Sequence, residues 1–303
     1  MPSEAAEKNF GPVRFIRGAG KGKYPHSNSV YVEGAGVLID AGAGREAYQC
    51  LRDGPGVREL WLSHWHEDHF GCIDMFDDLP LRQMEIEAEP LAGVEHFLDW
   101  YGIESEEFRA YWRNTLAEQF HYRPRRASSY FTAEEIIDLG SCSVEVIHTP
   151  GHTPGSTSFF FREPEVLFMG DYDLTRFGPW YGDRDSSIDL TIASVERLRN
   201  IPARVLLTSH EDGCFEEAAD DVSELFDRYL EVITQRESKL LEYLCSAPRT
   251  MADIAGQCIV YRKPREPRAF FEWGEEAIMG KHLQRLMQRG KVACEGRHYR
   301  LID

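Results

Sequence analysis

Short runs of alternating apolar and polar residues dominate the first two thirds of the chain, and a period of two predicts β-strands. Residues 29–33 and 36–40, Ser-Val-Tyr-Val-Glu and Gly-Val-Leu-Ile-Asp, indicate a hairpin with Gly34 in its turn. Later runs of this kind predict strands at residues 57–63, 84–88, 136–139, 143–148, 157–161, 166–169 and 204–208. Helical patterns lie between them at residues 45–52, 72–76 and 189–200. This repeated alternation of strands and helices predicts an α/β fold built in layers.

The stretch from about residue 90 to 130 departs from this pattern because it is rich in aromatic side chains. Two groups have the i, i+3, i+4 spacing of an amphipathic helix: Phe97, Trp100 and Tyr101, and then Phe108, Tyr111 and Trp112. We therefore predict two helices inserted into the α/β body. Their aromatic faces are interpreted as packing on the core or on a second subunit, and a lid or pocket wall for an apolar substrate is the alternative.

From about residue 236 the pattern changes again. Short helices are predicted at residues 239–245 and 251–257, a longer helix at 278–289, and a hairpin at 292–302. Three helices followed by a hairpin resemble a winged helix. We therefore predict a small, winged-helix-like C-terminal domain over residues 236–303.

The formal charge of the chain is −17, which disfavours binding to nucleic acid because phosphates must be neutralised by positive charge. Residues 245–303 are mildly basic, with 11 Lys and Arg against 7 Asp and Glu. Within them Lys281, Arg285 and Arg289 recur every four residues and form a stripe on the predicted helix. We interpret this stripe as a solvated or packed helix face, with nucleic-acid contact as the alternative.

The sequence contains no apolar run long enough to span a membrane. Residues 1–8 lack the basic and apolar regions of a signal peptide. Seven cysteines, an odd number without a Cys-x-x-Cys pair, indicate free thiols. We therefore expect a cytoplasmic protein with reduced cysteines.

The most informative stretch is residues 63–71, Ser-His-Trp-His-Glu-Asp-His-Phe-Gly. Three imidazoles and a carboxylate so close together favour a divalent cation between them, because neutral imidazole and carboxylate are good ligands for such ions. His64 and His66 are two residues apart and can hold one ion. Asp68 and His69 lie past the bend and can reach a second ion.

The pattern His-x-His-x-Asp-His resembles the signature of the metallo-β-lactamase superfamily. Three downstream segments are similar to the remaining ligand motifs of that family: Thr-Pro-Gly-His-Thr-Pro-Gly-Ser at residues 149–156, Leu-Phe-Met-Gly-Asp at 167–171 and Val-Leu-Leu-Thr-Ser-His at 205–210. The resemblance covers roughly residues 10–235. It implies a catalytic domain over that range, folded as an αββα sandwich with metals at the edge between two sheets.

The resemblance also implies a dinuclear metal site. The implied ligands are His64, His66 and His152 for the first ion, Asp68, His69 and His210 for the second, and Asp171 as the bridge between them. Zinc is expected, with iron or manganese as alternatives. A water shared by two such ions loses its proton near neutral pH and attacks an electrophilic carbonyl. Asp68 or Asp171 could also relay a proton.

Other positions are interpreted from their place relative to these motifs. Asp40 resembles the carboxylate that holds a metal-binding histidine in one tautomer in this family, and a cap for the helix at residues 45–52 is the alternative. Family loops that border the site suggest substrate contacts for Tyr24, His26, Asn28, Arg176, Trp180 and Tyr181. For the first three, ordinary loop chemistry is the preferred interpretation.

Together these features predict a metal-dependent hydrolase acting on an ester, thioester or similar acyl compound. An endoribonuclease or other phosphodiesterase is the hydrolytic alternative. The ligands also suit a mononuclear iron sulfur dioxygenase that would use His64, His152 and Asp171. The expected partner is a small-molecule substrate, with a homodimer as an open alternative and with no membrane or nucleic-acid partner.

Overall fold

The computed structural model describes residues 7–302, which form a mixed α/β body followed by a mainly helical C-terminal region. Residues 1–6, on which most of the signal-peptide prediction rests, lie outside the described chain. Within residues 7–302 no helix is both long and apolar enough to cross a lipid bilayer.

The first sheet contains the N-terminal strands in sequence order. Within the described chain its strands are β1 (Lys8–Phe10), β2 (Val13–Ile16), β3 (Ser29–Val32), β4 (Val37–Ile39), β5 (Glu59–Trp61), β6 (Leu81–Met84) and β7 (Ser129–Phe131). Strands β1 to β4 pair antiparallel, and β4 to β7 run parallel. Gly34 and Gly36 close the predicted β3–β4 hairpin with φ of 81° and 73°, a backbone region that favours glycine.

The second sheet packs face to face with the first. In spatial order its described strands are β13 (Cys214–Glu216), β12 (Val205–Leu207), β11 (Val166–Phe168), β10 (Thr157–Phe161), β9 (Ser143–His148) and β8 (Ile136–Asp138). Trp61 of the first sheet contacts Phe159 of the second, with ring centroids 5.5 Å apart. Within the first sheet, Trp61 also contacts Phe131, with ring centroids 5.2 Å apart. Burial of these large apolar surfaces holds the two sheets together.

Helices cover the outer faces of both sheets. The described helices are α1 (Ala19–Gly22), α2 (Arg45–Asp53), α3 (Glu67–Phe70), α4 (Ala88–Ala92), α5 (Val94–Tyr101), α6 (Glu106–Glu118), α7 (Ile188–Arg199), α8 (Val222–Leu244), α9 (Met251–Ala255) and α10 (Arg268–Gln288). Helices α2, α5 and α6 share a core with the first sheet through Tyr48, Phe97 and Trp112. Helices α7 and α8 share one with the second sheet through Val195 and Phe226. The layers therefore follow the order helix, sheet, sheet, helix.

Local sequence signals set several helix ends. Ser105, Ser187 and Asp221 accept a hydrogen bond from the backbone N–H three residues later, and they start α6, α7 and α8. Thr250 starts α9 with a capping box. Gly102 ends α5 in a left-handed conformation with φ of 73°.

The two predicted aromatic helices correspond to α5 and α6, and most of their rings are buried. Phe97 and Trp112 lie in the core, whereas Tyr111 is 44% exposed. The strand predicted at residues 84–88 is wrong, because β6 ends at Met84 and the chain continues as a 3₁₀ turn at Glu85–Glu87. This turn directs the side chain of Glu87 inward, where it bonds the loop at residues 153–155.

The C-terminal region is continuous with the body. Helix α8 runs unbroken from Val222 to Leu244, so the boundary predicted at residue 236 falls inside a helix. Helix α10 begins at Arg268, ahead of the predicted 278–289. A small sheet follows in the order β14 (Arg249–Thr250), β16 (His298–Leu301) and β15 (Val292–Glu295). The core of this region includes Tyr181 and Ile188 from the body.

The basic stripe on α10 faces the body. Lys281 Nζ donates to two backbone carbonyl oxygens just before α7, at 2.7 and 2.9 Å. Arg285 and Arg289 both pair with Asp189, at 2.9 and 3.1 Å. The stripe therefore joins α10 to the start of α7. This agrees with the interpretation of the stripe as a packed helix face.

Candidate metal centre

Loops at one edge of the sandwich bring the predicted ligands together. His64 and His66 follow β5, Asp68 and His69 lie in the single turn of α3, His152 lies between β9 and β10, Asp171 follows β11, and His210 follows β12. Strand β5 runs parallel to β4, and β12 runs parallel to β11. Because the carboxyl ends of neighbouring parallel strands meet at one sheet edge, loops from distant parts of the chain converge there.

His64, His66 and His152 direct one ring nitrogen each toward a common centre. Nε2 of His64 lies 3.1 Å from Nδ1 of His66 and 3.1 Å from Nε2 of His152, and the last two atoms are 3.0 Å apart. Asp171 Oδ2 joins this group at 3.4 Å from His152 Nε2. The four donor atoms lie within 4.8 Å of one another, a spacing that suits a cation with metal–nitrogen bonds of about 2.0–2.1 Å.

Asp68, His69 and His210 form a second group. His210 Nε2 lies 3.3 Å from Asp68 Oδ2 and 3.3 Å from Asp171 Oδ2. His69 Nε2 lies 3.0 Å from Asp171 Oδ1. The carboxylate of Asp171 therefore lies between the two groups and contacts members of both.

The outer nitrogen of each histidine has a hydrogen-bonding partner. At 2.8 to 3.1 Å the pairs are His64 with Ser63 Oγ, His66 with Asp183, His69 with Asp40, His152 with the carbonyl of Trp180 and His210 with the carbonyl of Gly22. Ser63 Oγ in turn donates to Asp40. An N–H donated outward leaves the inner nitrogen with a free lone pair, which is the form that binds a metal.

Asp40 supports the ligands and does not cap a helix. Its Oδ1 accepts from the Ser63 backbone N–H at 2.8 Å, and its Oδ2 accepts from the Ser63 hydroxyl at 2.7 Å and from His69 Nδ1 at 2.8 Å. Helix α2 begins after Gly44 without a side-chain cap, so the capping alternative is wrong. Asp40 has φ of 60°, a left-handed conformation that costs a non-glycine residue about 1–3 kcal/mol, and its three hydrogen bonds offset that cost.

Two carboxylates in the site were missed by the sequence analysis. Asp183 forms a hydrogen bond with His66. It lies in a loop whose sequence has no motif that would have marked it as part of the site. Asp173 accepts a hydrogen bond from the His210 backbone N–H at 3.1 Å. Its carboxylate also lies close enough to Asp171 and His210 for the three side chains to hold one ion, with their possible ligand atoms within 4.8 Å of one another. Removal from water raises the pKa of Asp173 to about 8, against the opposing effect of His210. The Asp-x-Asp spacing at 171–173 was the one available signal.

Burial and neighbouring charges together shift the pKa values in the first group. It lowers the pKa of His152 to about 4 and the pKa of His64 well below its usual value. For Asp171 burial acts to raise the pKa, but the neighbouring histidines hold it well below the ordinary range. His66 differs, because the charge of Asp183 outweighs burial and raises its pKa to about 9. His66 would have to be neutral to hold a cation at this site.

Two atoms at the centre of the site have unmet bonding capacity. Among the described residues, buried His69 Nε2 and Asp171 Oδ1 lack a hydrogen bond of acceptable geometry, although they lie 3.0 Å apart. Buried polar atoms are rarely left without partners, and a cation would satisfy both. Together with the imidazole and carboxylate donors, this observation shows that the residues fit a divalent metal site.

The predicted substrate contacts lie in different environments. Tyr24 is 46% exposed and donates its hydroxyl hydrogen to Glu67 at 2.8 Å. His26 is half-buried in the same loop, and Arg176 is exposed. Trp180 is half-buried, with its backbone carbonyl bonded to a ligand histidine. Tyr24 is thus the member of this set with an exposed ring beside the ligand segment.

Asn28 and Tyr181 do not fit a direct substrate contact, because both are fully buried. Asn28 Oδ1 accepts from the Gly18 backbone N–H at 2.9 Å, and its Nδ2 donates to the Thr208 carbonyl at 3.0 Å. The Tyr181 hydroxyl bonds His282 at 2.9 Å. These side chains join loops around the site to neighbouring elements.

Comparisons with known proteins agree with this geometry. The sequence model of the metallo-beta-lactamase superfamily matches residues 25–210, more than half of the chain. Acyl-coenzyme A thioesterase MBLAC2 from Gallus gallus is 31% identical over 59% of this chain and 68% of its own length. An atrochrysone carboxyl ACP thioesterase from Passalora fulva is 24% identical over 93% of this chain and 77% of its own. A crystal structure of a beta-lactamase domain protein from Burkholderia ambifaria has a TM-score of 0.71 and 17% identity, covering 100% of this chain and 95% of that one.

A sequence identity of 17% to that crystal structure shows that the two proteins share a fold and nothing more. The acyl-coenzyme A thioesterases are matched over only 63% to 68% of their length. The hydrolase and thioesterase relatives confirm the predicted class of metal-dependent hydrolase. Because the family match spans residues 25–210 and includes every predicted ligand from His64 to His210, this chain belongs to the metallo-beta-lactamase superfamily.

Proposed function

We propose that this protein is a dinuclear metal-dependent thioesterase that hydrolyses acyl thioesters. The observation that carries the proposal is the position of Asp171 between two groups of ligands, within reach of His64 and His152 on one side and of His69 and His210 on the other. The thioesterases among the relatives support a thioester as the acyl substrate. Zn²⁺ is the expected ion, with iron or manganese as alternatives, because imidazole and carboxylate bind all three.

In this proposal each ligand residue has a defined place. His64, His66 and His152 would hold one ion, Asp68, His69 and His210 would hold the other, and Asp171 would serve both. When bound, such ions supply an acidified water and polarise the thioester carbonyl. Asp183 and Asp40 orient the imidazoles so that their lone pairs face inward. Asp68 and Asp171 are the carboxylates placed to accept a proton during hydrolysis.

Aromatic rings beside the first ligand group support an apolar acyl chain. Tyr101 lies parallel to the His66 imidazole, with centroids 5.3 Å apart and an interplanar angle of 3°. Trp273 lies 5.4 Å from Tyr101 and 5.8 Å from Trp180. These rings come from the inserted helices, from α10 and from the loop after β11. We propose that the half-buried Trp180 and Trp273, with the exposed Tyr24, form the wall on which the acyl group packs, and that the buried Tyr101 supports Trp273.

We further propose that residues 236–303 form a winged-helix-like unit that supports the catalytic domain of residues 10–235 and shares α8 with it. Helices α9 and α10 and the sheet β14–β16–β15 support this view. The ion pairs of the α10 stripe with the body support a structural role over nucleic-acid binding. A cytoplasmic location and a homodimer stay predictions.

Elemental analysis and a thioester assay on the same preparation test the proposed function. We expect close to two metal ions per chain, and release of free thiol from acyl thioesters that stops on chelation and returns with Zn²⁺. One iron per chain, with consumption of O₂ when a persulfide is added as substrate, would replace the proposal with a dioxygenase. Metal-dependent cleavage of RNA without thioester hydrolysis would replace it with an endoribonuclease.

A further inference from the structure

A basic cleft lies beside the loop at residues 176–181, outside the metal centre. Its volume is about 190 Å³. A wider cleft of about 690 Å³ lies next to it, and Lys239, Ile259 and Arg262 line both. The basic side chains of the smaller cleft are Arg176, Arg236, Lys239, Arg262 and Arg265. Among the described residues that line it there is no carboxylate, and the wider cleft adds one acid, Glu242, and one base, Arg249.

Most of these cations are available to a ligand. Within residues 7–302, Arg176, Lys239 and Arg262 take part in no ion pair, and Arg265 contacts only aromatic rings. Elsewhere in the chain Arg and Lys commonly lie against acids, as Arg109 does against two carboxylates. The grouping of several unpaired cations in one cleft creates a confined positive potential in a chain whose formal charge is −17.

The floor of the cleft is fixed and adjoins the metal centre through one loop. Arg236 is buried and donates to the carbonyl oxygens of Phe177 and Pro179, both at 2.7 Å. Phe177 is 38% exposed and lies over the Arg236 guanidinium, which is 5.0 Å from its ring centroid. Three residues further along, the Trp180 carbonyl accepts from His152 Nδ1. Arg176 and Phe177 of this loop thus border the cleft, and Trp180 of the same loop borders the first ligand group.

We propose that this cleft binds the phosphorylated nucleotide portion of a coenzyme A thioester whose acyl end lies at the metal centre. The proposal rests on the proposed thioesterase function. Such a nucleotide concentrates several negative charges on a small body, and unpaired guanidinium and ammonium groups are matching donors. The exposed ring of Phe177 offers a surface for the adenine. A nucleic acid or an acidic carrier protein spreads its negative charge over a larger surface. Much of that charge would lie against the acidic body of this protein and be repelled by it.

Calorimetry on the full-length, metal-loaded protein tests the cleft without relying on turnover. The probe is adenosine 3′,5′-bisphosphate at two salt concentrations, with adenosine as the probe that lacks phosphate. Lys239→Glu with Arg262→Glu changes two exposed residues that line both clefts. We expect the double variant to weaken binding of the bisphosphate by about tenfold or more. Arg297→Glu, an exposed residue in the β15–β16 turn, should leave binding within about twofold.

Kinetics with two thioesters of the same acyl group separate the cleft from the chemistry. The KM for acyl-coenzyme A should rise about tenfold in the double variant, while hydrolysis of the acyl-N-acetylcysteamine thioester, which lacks the nucleotide, is unchanged. Equal loss on both thioesters, or unchanged bisphosphate binding, would overturn the proposal. So would tighter binding of an RNA oligonucleotide or an acyl carrier protein that is lost in the same variant. If neither thioester is hydrolysed, the thioesterase function fails, whereas the calorimetry still decides whether the cleft binds the nucleotide.

Discussion

His66 Nε2 lies 2.8 Å from Asp183 Oδ2, and both residues are buried. The contact joins a ligand that follows β5 to a loop that lies 117 residues later. The other carboxylate oxygen of Asp183 accepts from Trp180 Nε1 at 3.2 Å, and its backbone N–H donates to Ser186 Oγ. Asp183 is therefore held in place on several sides, and it fixes His66 with Nδ1 directed into the first ligand group.

Asp183→Asn should weaken metal binding while leaving the fold intact. The amide keeps the shape of the side chain but loses the charge that orients His66, and loss of such a partner typically costs about 10- to 100-fold in metal affinity. Competition with a chromogenic chelator measures this affinity, and excess metal should restore thiol release. Asp185→Asn, an exposed neighbour paired with Arg184, is the matched control. Equal affinities of the two variants would remove Asp183 from the metal site.

Asp171→Ala should abolish hydrolysis with little loss of secondary structure. Without the shared carboxylate, two cations about 3.5–4 Å apart repel each other, so the metal content should fall below two ions per chain. Elemental analysis, circular dichroism and the thioester assay on one preparation check the three parts. Asp212→Ala removes an exposed carboxylate two residues after His210 and serves as the control. Full turnover by a correctly folded Asp171→Ala variant would contradict the bridging role.

The residues of the candidate metal site could be predicted because one part of it is local in sequence and the rest resembles the ligand motifs of the family. His64, His66, Asp68 and His69 lie within six residues, and the remaining ligands each end a recognisable strand or loop. Strands such as residues 143–148 and 157–161 were also predicted correctly, since the first largely alternates and the second ends in three consecutive phenylalanines. The layered fold follows from these elements, because each has one apolar face to bury.

The features that were missed depend on contacts between distant segments. Nothing near Asp183 in the sequence indicates His66, and the burial of Asn28 follows from its bonds to Gly18 and Thr208 across the fold. The predicted boundary at residue 236 falls inside a helix for a related reason. Helix α8 continues through it because Ile233 and Leu240 pack into the same C-terminal core, a tertiary contact that periodicity alone does not reveal.

The basic stripe on α10 should not bind nucleic acid strongly. Lys281, Arg285 and Arg289 bond to the body, so their charges are not free for phosphates. Titration of the full-length protein with RNA and duplex DNA at two salt concentrations should show no submicromolar binding at physiological salt. If tight, salt-sensitive binding is seen and is lost in Lys281→Glu with Arg285→Glu while the thermal unfolding temperature holds, the endoribonuclease alternative gains support.

Glu87 gives a prediction about pH. The side chain is buried, and its Oε1 accepts from the Thr153 hydroxyl and from the Gly155 backbone N–H at 2.7 Å. Its Oε2 has no hydrogen-bond partner among the described residues. Burial raises the pKa of this carboxyl to about 7 from an ordinary value of 4.5, against the opposing effect of its hydrogen bonds. The folded state therefore favours the neutral, protonated form of Glu87, because the ionised carboxylate would be buried with one oxygen unpaired.

The sign of the effect on stability follows from this raised pKa. The contribution of Glu87 is fully present below pH 4.5 and is lost as the pH rises through about 7. Glu87→Gln keeps the shape without the charge, so its advantage in unfolding free energy should grow from pH 5 to pH 8.5, by up to about 3 kcal/mol. Urea unfolding of both metal-loaded proteins across this range measures the difference. Glu85→Gln, exposed in the same 3₁₀ turn, is the matched control. A pH-independent difference for Glu87→Gln would mean that this carboxyl is not titrating between folded and unfolded states.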